Sequence, residues 1–146
     1  MFTIYNQAHN FKKAAERCNV MIALSNGNNG EYEWLPIPYC VNASFACELY
    51  LKAILDAEKK ERGQKHNLND LFSLLPSEIK DDVKKKVENV DFDTNLMQAG
   101  NMFVDWRYLH EKIEKKEEIF ANLDFMRCLL NSLDFVAGTI LGKINL

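Results

Sequence analysis

The sequence predicts an all-α protein, an antiparallel four-helix up-and-down bundle with one or two additional short helices. Apolar residues recur at alternating intervals of four and three over long segments, which keeps one face of a helix turned toward a partner. Short polar joins separate these segments, as in antiparallel bundles. Because no segment alternates apolar and polar residues with a period of two, we predict no sheet.

Length and composition indicate one globular domain over residues 1–146. A chain of this length buries about two thirds of its unfolded surface, and its 47% hydrophobic and 27% charged residues are typical of a packed domain. The net charge of −3 provides no global positive field that could hold nucleic acid. Any binding of RNA or DNA is therefore expected to be local.

The four cysteines and the apolar segments set expectations about compartment and cofactors. The cysteines form no C-x-x-C pair, the N-terminus lacks the apolar segment of a secretion signal, and no apolar run reaches the ~20 residues of a membrane helix. We expect reduced thiols in a cytoplasmic protein, with no metal, cofactor or membrane association. The cysteines are Cys18, Cys40, Cys47 and Cys128.

The first two helices are predicted from two apolar patterns. One is a stripe, meaning a row of apolar residues along one face of a helix, and the other is a segment that is apolar throughout. The first stripe runs from Ile4 to Ile22 and stops at the turn-forming SNGNNG, residues 25–30. The prolines of WLPIPYC exclude a continuous helix before about residue 38. Residues 39–62 then form a long helix that is apolar on nearly every side, which is typical of the central member of a bundle.

Two short helices follow a charged join. Asn67 is a suitable N-cap for a helix that ends before Pro76, with Asp70 in its first turn. Ser77 is predicted to cap the next helix, whose acids lie at its start and whose lysines 84–86 lie near its end, as the helix dipole favours. Mixed charge runs such as KDDVKKKVE are expected to be solvated surface. The alternative is that Lys84–Lys86 form a contact with nucleic acid.

Two more stripes complete the bundle. The last helix carries a stripe from Ile119 to Ile144. The fourth long helix carries the stripe Phe92, Leu96, Ala99, Phe103, Trp106, His110 and Ile113.

The segment FVDWRYLHE, residues 103–111, belongs to this fourth helix and holds the first candidate site. At 100° per residue His110 lies within about 40° of Trp106 and 20° of Phe103, so a packed core histidine is favoured over one that lines a cleft. Arg107 and Glu111 lie on the flank. They form either an ordinary i,i+4 ion pair or a receptor for a phosphate or carboxylate, with Gly100 leaving room for a helix, a subunit or a ligand.

A second candidate site involves the central helix. Glu48 and Lys52 are also four residues apart but share a face with apolar residues, so they are expected to be partly buried. They form either the wetter edge of that helix or a polar pocket with Arg107. His66, beside a helix start, is either a residue of the cap region or a pH-sensitive ligand contact.

The order of these segments resembles a HEPN domain. The pieces are CELYLKAIL on a buried helix, a charged join, HNLNDLFSLLP, a long helix ending in WRYLHE, and an apolar C-terminal helix, together about residues 40–140. The resemblance implies a helical bundle from prokaryotic toxin–antitoxin or phage-defence systems. It also implies a homodimer with a cleft that binds nucleotides or RNA, and a small nucleotidyltransferase as a possible partner.

Members of that family that cut RNA share an R-x4-6-H motif, which this sequence lacks. Arg107 and His110 have two residues between them, and Arg62 and His66 have three. We therefore predict a nucleotide- or RNA-binding module without the usual ribonuclease motif. The alternatives are a metal-independent ribonuclease toxin that uses Arg107 and His110 at a dimer cleft, and a structural dimerisation module without ligand. The predicted ligand-binding residues are Glu48, Lys52, His66, Arg107, Tyr108 and Glu111.

Overall fold

A computed structural model describes residues 3–20, 22–23, 32–88, 91–108, 110–111 and 122–142, and these are predominantly helical. The helices are α1 (Ile4–Cys18), α2 (Pro36–Ala57), α3 (Leu68–Ser73), α4 (Ser77–Lys85), α5 (Phe92–Ala99), α6 (Met102–Arg107) and α7 (Leu123–Ile140). The all-α class is confirmed. The expectation of no sheet is corrected by one two-residue antiparallel ladder, β1 (Ile22–Ala23) with β2 (Tyr32–Glu33). The four-helix up-and-down arrangement stays a prediction.

The ends of the first two helices follow from their caps. Thr3 and Asn6 form a reciprocal capping box at the start of α1, and the helix ends at Cys18, so the predicted extension to Ile22 is wrong. The start of α2 at Pro36 corrects the expected start near residue 38. Proline is tolerated there because the first helical turn has no intrahelical use for its N–H.

Helix α2 is the central element of the core, as its uniformly apolar sequence predicted. It packs against α1, α3, α6 and α7, and its side chains are buried from Tyr39 to Leu55 with few interruptions. Every other described helix that contacts it contributes one apolar face. The burial of α2 on all sides is also what places Glu48 and Lys52 inside the protein.

The predicted fourth long helix is broken into two short ones, α5 and α6. At the break the carbonyl of Gly100 accepts the backbone N–H of Leu68 at 2.9 Å, and the Asn67 side chain lies so close that a Cβ on Gly100 would be 2.7 Å from its Nδ2. Asn67 Nδ2 also donates to Asn101 Oδ1 at 3.0 Å. The start of α3 thus packs into the break between α5 and α6.

The positions of the two short helices α3 and α4 agree with the prediction, but only one of their two predicted N-caps is correct. Asn67 Oδ1 accepts from the backbone N–H groups of Asn69 and Asp70, which confirms Asn67 as the N-cap of α3. Ser77 is the first residue of α4 rather than its cap. Pro76 holds the cap position, without a side-chain hydrogen bond.

Several predicted features lie outside the described residues. These are the turn at residues 25–30, the stretch of the fourth stripe beyond residue 111, and both ends of the last stripe at residues 119 and 144. Among the described helices, none combines the length and apolar character needed to cross a bilayer.

Candidate functional site

The first candidate site is a cluster of three charged or ionisable side chains on α2 and the join that follows it. Glu48 and Lys52 are 3% and 8% exposed, and Lys52 Nζ lies 3.4 Å from Glu48 Oε2. His66 Nδ1 lies 3.3 Å from Glu48 Oε1 and 3.4 Å from Lys52 Nζ. We call these three residues the Glu48 cluster.

His66 Nδ1 has one possible acceptor and one possible donor in the Glu48 cluster. In the tautomer with a proton on Nδ1 it donates to Glu48, and in the other tautomer it accepts from Lys52. The His66 side chain is 64% exposed, whereas its two partners are buried. A buried carboxylate and ammonium need such additional partners because desolvation costs several kcal/mol per ion.

Neighbouring residues fix the position of His66. Asn67, the next residue, is held by the α3 cap and by Asn101. Upstream, Nε and Nη2 of Arg62 donate hydrogen bonds to the Asp56 carboxylate at 2.8 and 3.2 Å. The hydrogen bonds that Arg62 donates to Asp56 raise the pKa of Arg62, and the nearby charge of Glu48 adds to this. For Arg62 and His66 to act together on a phosphate, the guanidinium of Arg62 would have to bind that phosphate. In the structure it binds the carboxylate of Asp56 instead.

The second candidate site is a stack of side chains on α6. The guanidinium carbon of Arg107 lies 4.8 Å from the ring centroid of Phe103 and 5.1 Å from that of Tyr108, and Nη2 donates to Tyr108 Oη at 2.8 Å. Arg107 is exposed, and Tyr108 is 41% exposed. We call Phe103, Arg107 and Tyr108 the Arg107 platform.

The structure does not bring Arg107 into the Glu48 cluster. Among the described residues, its contacts are with Phe103 and Tyr108, and it pairs with Tyr108 rather than with Glu111. Phe103 stacks in turn on Phe45 of α2, with ring centroids 4.6 Å apart. Glu48 and Lys52 are therefore at one site and Arg107 is at another, rather than all three in one polar pocket. The Phe45–Phe103 pair connects the helices that carry the two sites. The room beside Gly100 is filled by Asn67.

His110 corrects the sequence analysis. It is exposed, as is Glu111, and both are helical. The stripe placed His110 beside Phe103 and Trp106 because it assumed that their helix continues through residue 110, but α6 ends at Arg107 and the backbone of Tyr108 leaves the helical conformation. Phe103 and Trp106 are partly buried, so the apolar face of α6 ends before His110.

The four cysteines, all within the described ranges, are free thiols. Burial raises the pKa of Cys40 to about 11 and also raises the pKa of Cys47, whose Sγ lies 3.9 Å from Met126 Sδ. A buried thiol that resists ionisation is a poor nucleophile. Within the described part of the chain, no group of three or more His, Cys, Asp and Glu side chains is placed to hold a metal ion.

Sequence reasoning missed a polar network between α1, α2 and α7. Tyr50, fully buried, has its Oη 3.4 Å from His9 Nδ1. Asp134 accepts from Tyr5 Oη at 3.3 Å and from Lys12 Nζ at 2.5 Å. Tyr5, His9 and Lys12 recur at i, i+4 and i+7 beside the apolar stripe of α1, and this polar periodicity could have identified the network.

Comparison with known proteins assigns the chain to a family. No match was found among curated proteins or among solved structures. The model of the HEPN domain matches residues 6–134, a range that contains the Glu48 cluster and the Arg107 platform. Because this match spans most of the sequence, the chain belongs to the HEPN domain family.

Proposed function

We propose that this HEPN domain is a nucleotide- or RNA-binding module that does not use the family's ribonuclease motif, and that it acts in a defence or toxin–antitoxin setting. HEPN domains as a family are associated with nucleotide- and RNA-related functions. The observation that carries the proposal is the exposed Arg107 platform.

The platform offers the two contacts that a nucleotide needs. A guanidinium binds phosphate through parallel N–H donors, and the partly exposed ring of Tyr108 offers a face on which a base can stack. The hydrogen bond from Arg107 to Tyr108 holds both groups in one orientation. Such prior ordering reduces the entropy lost on binding.

The Glu48 cluster takes a supporting part in this proposal. Glu48 and Lys52 are buried, so they act on a ligand through His66, whose exposed ring they orient. Glu111, exposed four residues after Arg107, sets a limit on how much negative charge the site accepts. A negatively charged protein with a local cationic platform fits a small ligand better than a long duplex.

A homodimer and a small nucleotidyltransferase are the partners in this proposal. Val104 of α6 and Tyr108 just after it are exposed beside Arg107, and a second copy that packs against them would place two Arg107 platforms beside one cleft.

The proposal is tested by binding of a short fluorescent single-stranded RNA and of ATP to the purified chain. Arg107→Ala is expected to weaken binding about tenfold or more, because one charge-assisted phosphate contact contributes about 1.5–3 kcal/mol. The slope of log affinity against log salt should fall by about 0.7. Arg127→Ala is the matched control, since Arg127 is exposed on α7 and forms an ion pair with Asp124, one turn earlier on the same helix. Absence of binding to either ligand at millimolar concentration would leave a structural dimerisation module.

A second candidate, a metal-independent ribonuclease, is favoured by the exposure of His110. The 2′-oxygen would bond to phosphorus as the bond to the 5′-oxygen breaks, giving a cyclic phosphate. His110 would take or supply the proton while Arg107 holds the phosphate. A dimer could add His66 from the second chain. RNA cleavage in excess EDTA that His110→Ala abolishes would establish this activity, and intact RNA after prolonged incubation would exclude it.

A further inference from the structure

A pocket of about 400 Å³ lies between the end of α4 and the last turns of α7. Its apolar wall is formed by Phe135, Val136 and Ile140, and its polar lining by Asp82, Lys85, Lys86 and Thr139. None of these residues belongs to the Glu48 cluster or the Arg107 platform. The volume is in the range of about 300–1,000 Å³ that small-molecule sites occupy.

One hydroxyl in this pocket has no hydrogen-bond partner within the described part of the chain. Thr139 Oγ1 is buried and unsatisfied, which is unfavourable because the group has given up its water. Two turns earlier on α7, Ser132 Oγ donates to the carbonyl of Val83 at 2.8 Å. Ser132 lies beside α4 and bonds to one of its carbonyls, whereas Thr139 lies beyond the end of α4 at Lys85. At Thr139 the pocket takes the place of a backbone acceptor.

The charge around the pocket favours an anion. Among the described residues that line the pocket, Lys85 and Lys86 face one carboxylate, Asp82, whose Oδ1 lies 3.8 Å from Lys85 Nζ. Lys86 Nζ lies 3.9 Å from the ring centroid of Phe135, which is 37% exposed. An ammonium held over an aromatic ring at the edge of an apolar pocket can bind an anionic group while the apolar part of the same ligand is buried.

We propose that this pocket binds a small amphipathic molecule with an apolar body and one anionic group, a carboxylate or a phosphate monoester. The body packs against Phe135, Val136 and Ile140. The anionic group lies at Lys85 and Lys86, and the buried Thr139 hydroxyl, which makes no hydrogen bond within the described protein, rotates about χ1 to donate one to it. This site is independent of the proposed RNA-binding function.

Two fluorescent probes of similar shape test the proposal. Anilinonaphthalene sulfonate is apolar with one negative charge, and phenylnaphthylamine is its neutral counterpart. The native chain is expected to bind the sulfonate saturably. The double substitution Lys85→Gln/Lys86→Gln should weaken the sulfonate about tenfold while the neutral probe changes little. Lys13→Gln/Lys60→Gln, at two exposed lysines elsewhere, is the matched control. Equal loss for both probes, or no loss, would overturn the role of the lysines.

Two further variants locate the bound probe in this pocket. Ile140→Trp fills the apolar wall and should remove binding of both probes while the thermal transition stays cooperative. Thr139→Val keeps the shape and removes the hydroxyl, so it should weaken the anionic ligand about fivefold, the equivalent of one hydrogen bond. Binding unchanged in Ile140→Trp would show that the probe binds elsewhere and would overturn the proposal.

Competition identifies the anionic group. Octanoate and octyl phosphate should displace the sulfonate probe, and octanol should not. The more effective of the two anions indicates whether the ligand carries a carboxylate or a phosphate. Displacement by octanol as strong as by the anions would show that the pocket selects apolar surface alone, contrary to the proposal.

Discussion

Two charged regions of this protein use the same spacing in opposite ways. Glu48 and Lys52 on α2 are four residues apart, as are Arg107, the last residue of α6, and Glu111 beyond the end of that helix. The first pair is buried and forms an ion pair with His66 at its side. The second pair is exposed, and Arg107 contacts aromatic rings instead of Glu111.

The comparison shows that burial and the continuity of the helix, rather than spacing alone, decide what an i,i+4 pair does. On α2 the surrounding apolar side chains exclude water, so each charge depends on the others and on a fixed geometry. Arg107 and Glu111 are separated by the end of α6 and are both exposed to water, which screens their attraction. Arg107 is therefore available for another ligand. Stability should therefore depend on the first region and binding on the second.

The largest expected effect on stability is at Glu48. Glu48→Ala leaves Lys52 buried without its carboxylate and should lower the free energy of unfolding by about 3–5 kcal/mol. The measurement is urea denaturation followed by circular dichroism. Glu88→Ala, at an exposed glutamate after α4, should change it by less than about 0.5 kcal/mol. A Glu48→Ala protein with native stability would show that the cluster is not structural.

An intermediate effect is expected at the junction that connects the two regions. In Gly100→Ala the new Cβ would collide with the Asn67 side chain, which cannot move without losing the α3 cap. The free energy of unfolding should fall by about 1–2 kcal/mol.

The contact between these two residues can be tested by a double substitution. Gly100→Ala with Asn67→Ala should cost less than the sum of the single changes, because each removes the same cap. If the changes in the free energy of unfolding are additive, the destabilisation in Gly100→Ala does not come from its contact with Asn67.

The smallest effect on stability is expected at His110. Because the side chain is exposed, His110→Ala should shift the free energy of unfolding by less than about 0.5 kcal/mol, as judged from the same urea titration. A loss of 2 kcal/mol or more would restore the core position that the sequence pattern favoured. Trp106→Ala, one turn earlier and partly buried, is the contrasting variant and should cost more.

The predictable part of the fold came from local features with large consequences. A segment that is apolar on every side has to be buried, which identified α2 as central, and Asn67 was recognisable as a cap from its residue type and the segment after it. The break at Gly100 was not predictable, because the residues that cause it, Asn67 and Leu68, lie more than thirty positions away. The error at His110 has a second cause, the end of α6 at Arg107, after which His110 no longer follows the helical phase of Phe103 and Trp106.

The sequence by itself determined the helical class, the central helix and the set of residues able to do chemistry, since periodicity and residue type are local properties. Only the tertiary structure decided which of those residues meet: His66 joins Glu48 and Lys52, Arg107 stacks on Phe103 and Tyr108, and the Tyr50–His9 contact forms across two helices. These contacts depend on where α5 stops and α6 starts, and on how α1 lies along α2. Such distances are set by packing between distant segments, which no local pattern contains.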